Sequence, residues 1–213
     1  APGEAEAKLA QLNLAGAIDA VLTNDCDTLV FGAKEVIWML DSGNIDDITT
    51  YSSDRIESVT GLASNEMILI ALLVSGDYDQ AGLPNCGIRL ATQLAHHTSL
   101  GPSLVWAFKT LCQEEFLEHL HVWQNKLWDI FLSGAGILGC HYTSVGMSVT
   151  EKFPSISILD NYVNPVTSWS DDNNTHPASW STCLPDLSWL TALCEQLFSW
   201  GTQTGIQHMF EKH

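Results

Sequence analysis

The sequence predicts an α/β chain, with a partial sheet layer over roughly the first fifty residues and a mostly helical region after it. Three observations lead there. A run of helix formers at residues 4–15 is followed directly by short β-rich runs separated by polar turns. Beyond about residue 50 the apolar residues gather into longer Leu-, Met- and Ala-rich stretches of helical length. The chain is 46% apolar and only 15% charged, a composition that buries a core. Its longest unbroken apolar run, residues 67–74, is far short of the ~20 residues that span a bilayer.

Taken in order, EAEAKLAQLNLA at residues 4–15 reads as a helix stopped by Gly16. Residues 17–23 read as a strand broken by Asn24-Asp25-Cys26-Asp27, residues 28–31 as a second strand ending at Gly32, and residues 35–40 as a third before the turn cluster 41–44. Residues 54–59 suggest a short helix, and Ser64 a side-chain cap for an apolar helix over 65–75. Gly76-Asp77-Tyr78-Asp79 and the glycine-bracketed turn Gly82–Gly87 then lead into a helix over 88–96. Two further helices are expected within 102–132, with irregular chain over 134–146. After Phe153-Pro154 a short helix should run to about Tyr162, followed by a polar loop over 168–181, a helix over 185–200 and another over 201–212. The expected domains are 1–50, 51–150 and 151–213. No internal repeat is apparent.

Eight Lys and Arg stand against 25 Asp and Glu, a formal charge of −17, so a broadly basic nucleic-acid surface is excluded. Fourteen of the acids lie within residues 1–80, where only Lys8, Lys34 and Arg55 are basic. That asymmetry fits either a solvated face or carboxylates gathered around divalent cations. The six cysteines form no CxxC pair and read as reduced, mostly buried thiols of an intracellular protein, and Cys140-His141 alone makes a poor zinc site. The eight tryptophans read first as core anchors and second as base-stacking platforms. The opening residues show neither a basic n-region nor an apolar h-region, and without an initiator Met the chain is expected to begin inside something longer.

Three acidic groups stand out: Glu4 and Glu6 at a helix start, Asp25 and Asp27 after a strand, and Asp77 before a glycine turn. Each alone has an ordinary explanation, as dipole partner, turn former or cap. Together they suit a hard cation, because on an extended segment residues i and i+2 face the same way and two bare carboxylates side by side repel.

The segments APGEAEAKLA, AVLTNDCDTLVFGA and ILIALLVSGDYDQAGLPNCGIRLATQLA resemble the internal nuclease region and following helix–two-turn–helix of the XPG family of structure-specific 5′ nucleases. FPSISILDNY resembles a later helical extension of the Holliday-junction-resolvase branch, particularly of its fungal members. The resemblance implies a partial nuclease sheet layer and a metal site of Glu4, Glu6, Asp25, Asp27 and Asp77. These would hold two Mg²⁺ or Mn²⁺ ions for phosphodiester hydrolysis on branched double-stranded DNA, a 5′ flap or a Holliday junction. It also implies that Gly82, Gly87 and Arg89 meet duplex phosphates at the hairpin turn, with K⁺ bound there, and that the protein is nuclear and not a membrane protein. The chain departs from the family in lacking the N-terminal nuclease region and in having Arg89 as its only basic residue between positions 80 and 108. On that ground the fragment alone is expected to be inactive. Two readings stand beside the nuclease: a catalytically inactive shortened paralogue that binds DNA or protein, and an acidic α/β domain with no nucleic-acid role.

Overall fold

The computed structural model describes residues 3–39, 48–134, 136–170, 186–198 and 201–210. Ala-rich α1 (Ala5–Leu14) ends where Gly16 takes a φ of +71°, a conformation that costs glycine little. The chain then enters β1 (Val21–Leu22), a helical turn α2 (Asp27–Val30), β2 (Glu35–Met39) and β3 (Ile48–Ser52). β1 pairs parallel to β2, with Val21 opposite Val36, and β2 pairs antiparallel to β3, with Trp38 opposite Thr49. The core beneath this layer is small: Ala10, Val21, Ala33 and Val36 are buried, with Leu9, Ile18, Leu29 and Phe31 against them.

One polar side chain ties this layer together. Buried Asn13 donates from Nδ2 to the carbonyls of Ile18 (3.1 Å) and Asp19 (3.0 Å), and its Oδ1 accepts from the amides of Lys34 (2.7 Å) and Glu35 (3.0 Å). Both donors and both lone pairs are used, so the loop before β1 and the start of β2 are pinned to α1.

The helical body begins with α3 (Ser53–Thr60) and α4 (Ser64–Leu73) and continues through α5 (Ile88–His97), α6 (Leu100–Thr110), α7 (Gln113–Ser133), α8 (Thr143–Gly146) and α9 (Ile156–Val163). α4 is the central element. Its Ile68, Leu69, Leu72 and Leu73 are buried, and it packs on α2, α5, α6 and α9. Gly101 of α6 lies so close that a Cβ there would sit 2.5 Å from the Asn65 carbonyl oxygen. On α7 the buried positions Phe116, Leu120, Trp123, Leu127, Ile130 and Phe131 follow the 3.6-residue period, and the Trp123 indole N–H donates to the Leu100 carbonyl at 2.9 Å.

Residues 1–176 form one compact unit and residues 177–213 a second. In the second, α10 (Leu187–Phe198) packs on α11 (Gln203–Phe210), burying Thr191, Cys194 and Ile206.

Several expectations need correction. Residues 28–31 are not a strand: Asp25 Oδ1 accepts the Asp27 amide (2.9 Å), the Phe31 amide reaches the Asp27 carbonyl (2.9 Å), and the segment closes as a helical turn. β1 is only Val21–Leu22, because Asn13 holds the preceding chain as a loop, and β3 was not foreseen. Ser64 does not cap α4: its hydroxyl donates to the Val30 carbonyl (2.6 Å), while Glu66 Oε2 accepts the Ala63 amide (3.2 Å). Residues 143–146 form α8 rather than irregular chain. Burial holds for Cys86 and Cys194 but fails for Cys26, Cys112 and Cys140, which are exposed. Trp123 is a core anchor, whereas Trp106 and Trp189 are exposed. The turn 41–44, the polar loop over 171–181 and Cys183 lie outside the described residues. Among the described residues no single helix is long and apolar enough to cross a membrane.

Candidate functional site

Two clefts flank the start of α5, and Ile88 contributes to both. The first, of about 570 Å³, is acidic. Asp25, Cys26 and Asp27 enter it from the turn after β1, Asp77 from the chain after α4, Met67 and Ile70 from α4 itself, and Tyr162 from α9. One carboxylate oxygen each from Asp25 and Asp27 and the Cys26 sulfur lie within 4.8 Å of one another. The turn that orients Asp25 onto the Asp27 amide sets this spacing, so the pair converges at a helix start and not along an extended pleat.

The charges there are mutual. Burial first, then Asp25, Asp77 and Glu4, push the Asp27 carboxyl above its ordinary range. Burial, with Asp27 and Asp25, raises the Cys26 thiol, which therefore stays protonated rather than reactive. Tyr162 is pushed up to about 12 by burial and by Asp27, Asp77, Asp79 and Glu4. Tyr78 is raised by burial and by the Glu4 carboxylate, which faces its phenol as charge and hydrogen-bond partner. Glu4, Asp25, Asp27 and Asp77 thus act on one small volume. Glu6, half-buried on α1, joins none of these approaches among the described residues.

No Lys or Arg among the described residues neutralises the group. Lys8, one turn along α1 from Glu4, instead lies with its Nζ 3.2 Å from the centre of the Trp169 ring. A set of hard oxygen donors with uncompensated charge in an open cleft suits Mg²⁺ or Mn²⁺.

The second cleft, about 710 Å³, opens at the hairpin before α5 and is lined by Asn85, Gly87, Arg89, Gln93 and Tyr142. The turn is tightly cross-bonded: Gly76 N–H donates to the Asp79 carbonyl (2.8 Å), Ala81 N–H to Asp79 Oδ1 (2.9 Å), and Leu83 N–H to the Leu73 carbonyl (3.0 Å). Gly82 has φ +55°, and a Cβ there would meet the Val74 carbonyl carbon at 2.7 Å, so it is required for packing on the end of α4. Gly87, by contrast, precedes α5 with open space where a side chain would stand. Arg89 is exposed on the first turn of α5. Across the cleft Tyr142 is raised chiefly by the Cys140 thiol, with Arg89 opposing, and Gln93 Nε2 anchors this loop through the Ile137 carbonyl (2.9 Å).

Sequence reasoning missed Tyr162 as a wall of the acidic cleft, Tyr78 as the ring packed edge-on to it, and Asn13 as the brace of the sheet layer. Tyr78 was legible as the neighbour of Asp77, while nothing in the local sequence points Tyr162, eighty-five positions further on, at the same volume.

Residues 1–77 match the XPG I-region family. The chain is 45% identical over 87 residues to flap endonuclease GEN-like 1 of Oryza sativa subsp. japonica, an alignment covering 41% of this chain and 14% of the relative. Among solved structures it resembles the eukaryotic junction-resolving enzyme GEN-1 bound to potassium, with TM-score 0.69 and 28% identity over 93% of this chain and 48% of the other. It also resembles the Holliday junction-resolving enzyme GEN1 in complex with product DNA and Mg²⁺, with TM-score 0.65 and 27% identity over 93% of this chain and 47% of that one. The chain thus spans about half the length of these structures and a smaller share of the curated relative.

Proposed function

We propose that this chain, whose residues 1–77 match the XPG I-region family, is the second half of the catalytic core of a structure-specific DNA endonuclease of the XPG type. Its substrate class is branched double-stranded DNA, a 5′ flap or a Holliday junction, and its compartment the nucleus. The observation that carries this reading is the acidic cleft, in which Glu4, Asp25, Asp27 and Asp77 act on one volume without a neutralising Lys or Arg. Asp25 and Asp27 would hold divalent cations, with Glu4, Glu6 and Asp77 completing the ligand set. The bound ions would supply an activated water and charge stabilisation for phosphodiester hydrolysis.

The chain's own groups have separable tasks. Asp25 orients the Asp27 amide and keeps the two carboxylates apart by a fixed turn. Tyr78 faces Glu4, and Ile88 separates the acidic cleft from the hairpin cleft. In the hairpin cleft Gly87 leaves room for a phosphate to approach the backbone, Arg89 offers a cation to it, and Gly82 lets the turn sit against α4. Backbone carbonyls of the turn over 82–87 would hold a K⁺, which would supply positive charge for the same phosphates.

The test is the double substitution Asp25→Asn with Asp27→Asn. In this chain it should abolish saturable Mn²⁺ binding measured by calorimetry. In a polypeptide that also carries the N-terminal nuclease region it should abolish Mg²⁺-dependent cutting of flap and junction DNA. Retained cutting would overturn the reading. A second reading, a binding module without catalysis, is favoured by the −17 charge and by Arg89 standing alone near the hairpin. It predicts junction binding that Arg89→Ala weakens, with no cleavage even when the N-terminal region is present.

A further inference from the structure

The acidic cleft is not built by the I-region alone. After α9 the chain turns back and lies along α1. The Cβ that Gly3 lacks would collide with the Val166 carbonyl oxygen, so the strap passes in backbone contact with the N-terminus of α1. Thr167, buried, donates its hydroxyl to Gln11 Oε1 at 2.7 Å and accepts the Trp169 amide at 3.1 Å. Trp169 then covers Lys8, whose Nζ is buried without a hydrogen-bond acceptor among the described residues and rests on the ring face.

One turn earlier, α9 sends Tyr162 into the cleft itself. Its ring is buried and stacks edge-on to Tyr78, with centroids 4.8 Å apart and planes at 87°, and it also touches Phe31 at the end of α2. Its hydroxyl lies 3.1 Å from where a Gly76 Cβ would stand, which places the phenol against the backbone beside Asp77. Residues 156–170 therefore contact α1, the far end of the helical turn α2 that Asp27 begins, and the turn after α4 that carries Asp77.

We propose that residues 156–170 act as a clasp that positions the acidic site, with Tyr162 fixing Tyr78, and so Glu4, against Asp27 and Asp77, and the Thr167–Trp169 strap holding α1 and drawing Lys8 away from the carboxylates. Tyr162, Thr167 and Trp169 are positioning residues, none of them a metal ligand. A cation free to swing back would pair with Glu4 and compete with a metal. A ring seated on that cation leaves the acids unpaired and available. The inference rests on the reading of the cleft as a divalent-cation site.

The experiment is Mn²⁺ titration by calorimetry on the 213-residue chain, alongside far-UV circular dichroism and melting temperature. The unsubstituted chain should bind Mn²⁺ saturably; if it does not, the metal-site reading itself fails. Supporting groups around metal ligands typically set affinity by 10- to 100-fold, so Trp169→Ala and Tyr162→Ala should each weaken Mn²⁺ binding about tenfold with the helical spectrum retained. Trp169→Phe, which keeps a ring face for Lys8, and Lys8→Met, which removes the competitor, should each restore most of that loss relative to Trp169→Ala. A strap that only adds stability would lower the melting temperature and leave Mn²⁺ affinity unchanged, and that outcome overturns the clasp while the metal site stands. If Trp169→Ala does not fold, Thr167→Val reads the same strap through its one bond to Gln11, and unchanged Mn²⁺ affinity there overturns the proposal equally.

Discussion

The sheet layer and the helical body are held together by different means. In the helical body, long apolar side chains carry the packing: Leu69, Leu73, Leu94, Leu104, Leu127 and Phe131 are fully buried, and α4 is enclosed by helices on several sides. In the sheet layer the core cluster holds only two alanines and two valines, and the chain is braced instead by the four hydrogen bonds of Asn13 and by the strap over α1. Glu4, Asp25 and Asp27 sit on the weaker layer, and Asp77 stands on the chain after α4 of the stronger one. A group of like charges costs stability wherever it is placed. Here local hydrogen bonds fix backbone direction at two of the carboxylate-bearing turns, Asp25 Oδ1 accepting the Asp27 amide and Asp79 Oδ1 the Ala81 amide, which a non-directional apolar contact does less well.

Three measurements would break or sharpen that contrast. The largest effect is expected at Leu104→Ala, which empties a fully enclosed site and should cost ~4 kcal/mol in urea unfolding. Asn13→Ala comes next, at about 3 kcal/mol, because it removes four hydrogen bonds of one buried side chain, to the amides of Lys34 and Glu35 and the carbonyls of Ile18 and Asp19. Val36→Ala, which removes two methyl groups from the small core, should cost only about 2 kcal/mol. If Val36→Ala proved costlier than Asn13→Ala, the layer would be apolar-held after all and the contrast would fall.

The smallest effect tests the charge cluster. Burial and the neighbouring Asp25, Asp77 and Glu4 raise Asp27 above its ordinary value, so the folded chain holds that proton more firmly than the unfolded chain does. Without divalent cations, stability should therefore fall as pH rises from 3.8 through the raised value, and the penalty should persist above it. Asp27→Asn should flatten this limb and melt no lower than the parent at pH 7. A clearly lower melting temperature would show that the carboxylates do not burden the metal-free fold.

Much of the helical body was legible because its period is local. The two helices within 102–132, the glycine stop after α1 and the turn before α5 are written in local sequence, whereas of the apolar-face residues Trp106, Leu117, Leu120, Trp123 and Trp128 only Leu120 and Trp123 are buried. The candidate carboxylates were legible as well, through the Asp-Cys-Asp turn, the Gly-Asp-Tyr-Asp run and the resemblance they support. Residues 28–31 were misread because a β-like apolar run carries no sign that the preceding Asp25 side chain will fold it into a helical turn. β3 was missed because its sequence Ile-Thr-Thr-Tyr-Ser shows little alternation and depends on β2 for its partner.

The sequence by itself determined which residues carry charge, that the region beyond about residue 50 would be mostly helical, and that acids would be concentrated in the first eighty residues. Only the tertiary structure decided which acids share a volume. It brought Asp27, Asp77 and Glu4 within electrostatic reach, left Glu6 outside those approaches, and added Tyr162 from α9 and Trp169 from the strap. The physical reason is range. Propensity, capping and periodicity act over a few residues, whereas electrostatic coupling and packing depend on distance through space, which only the folded chain sets.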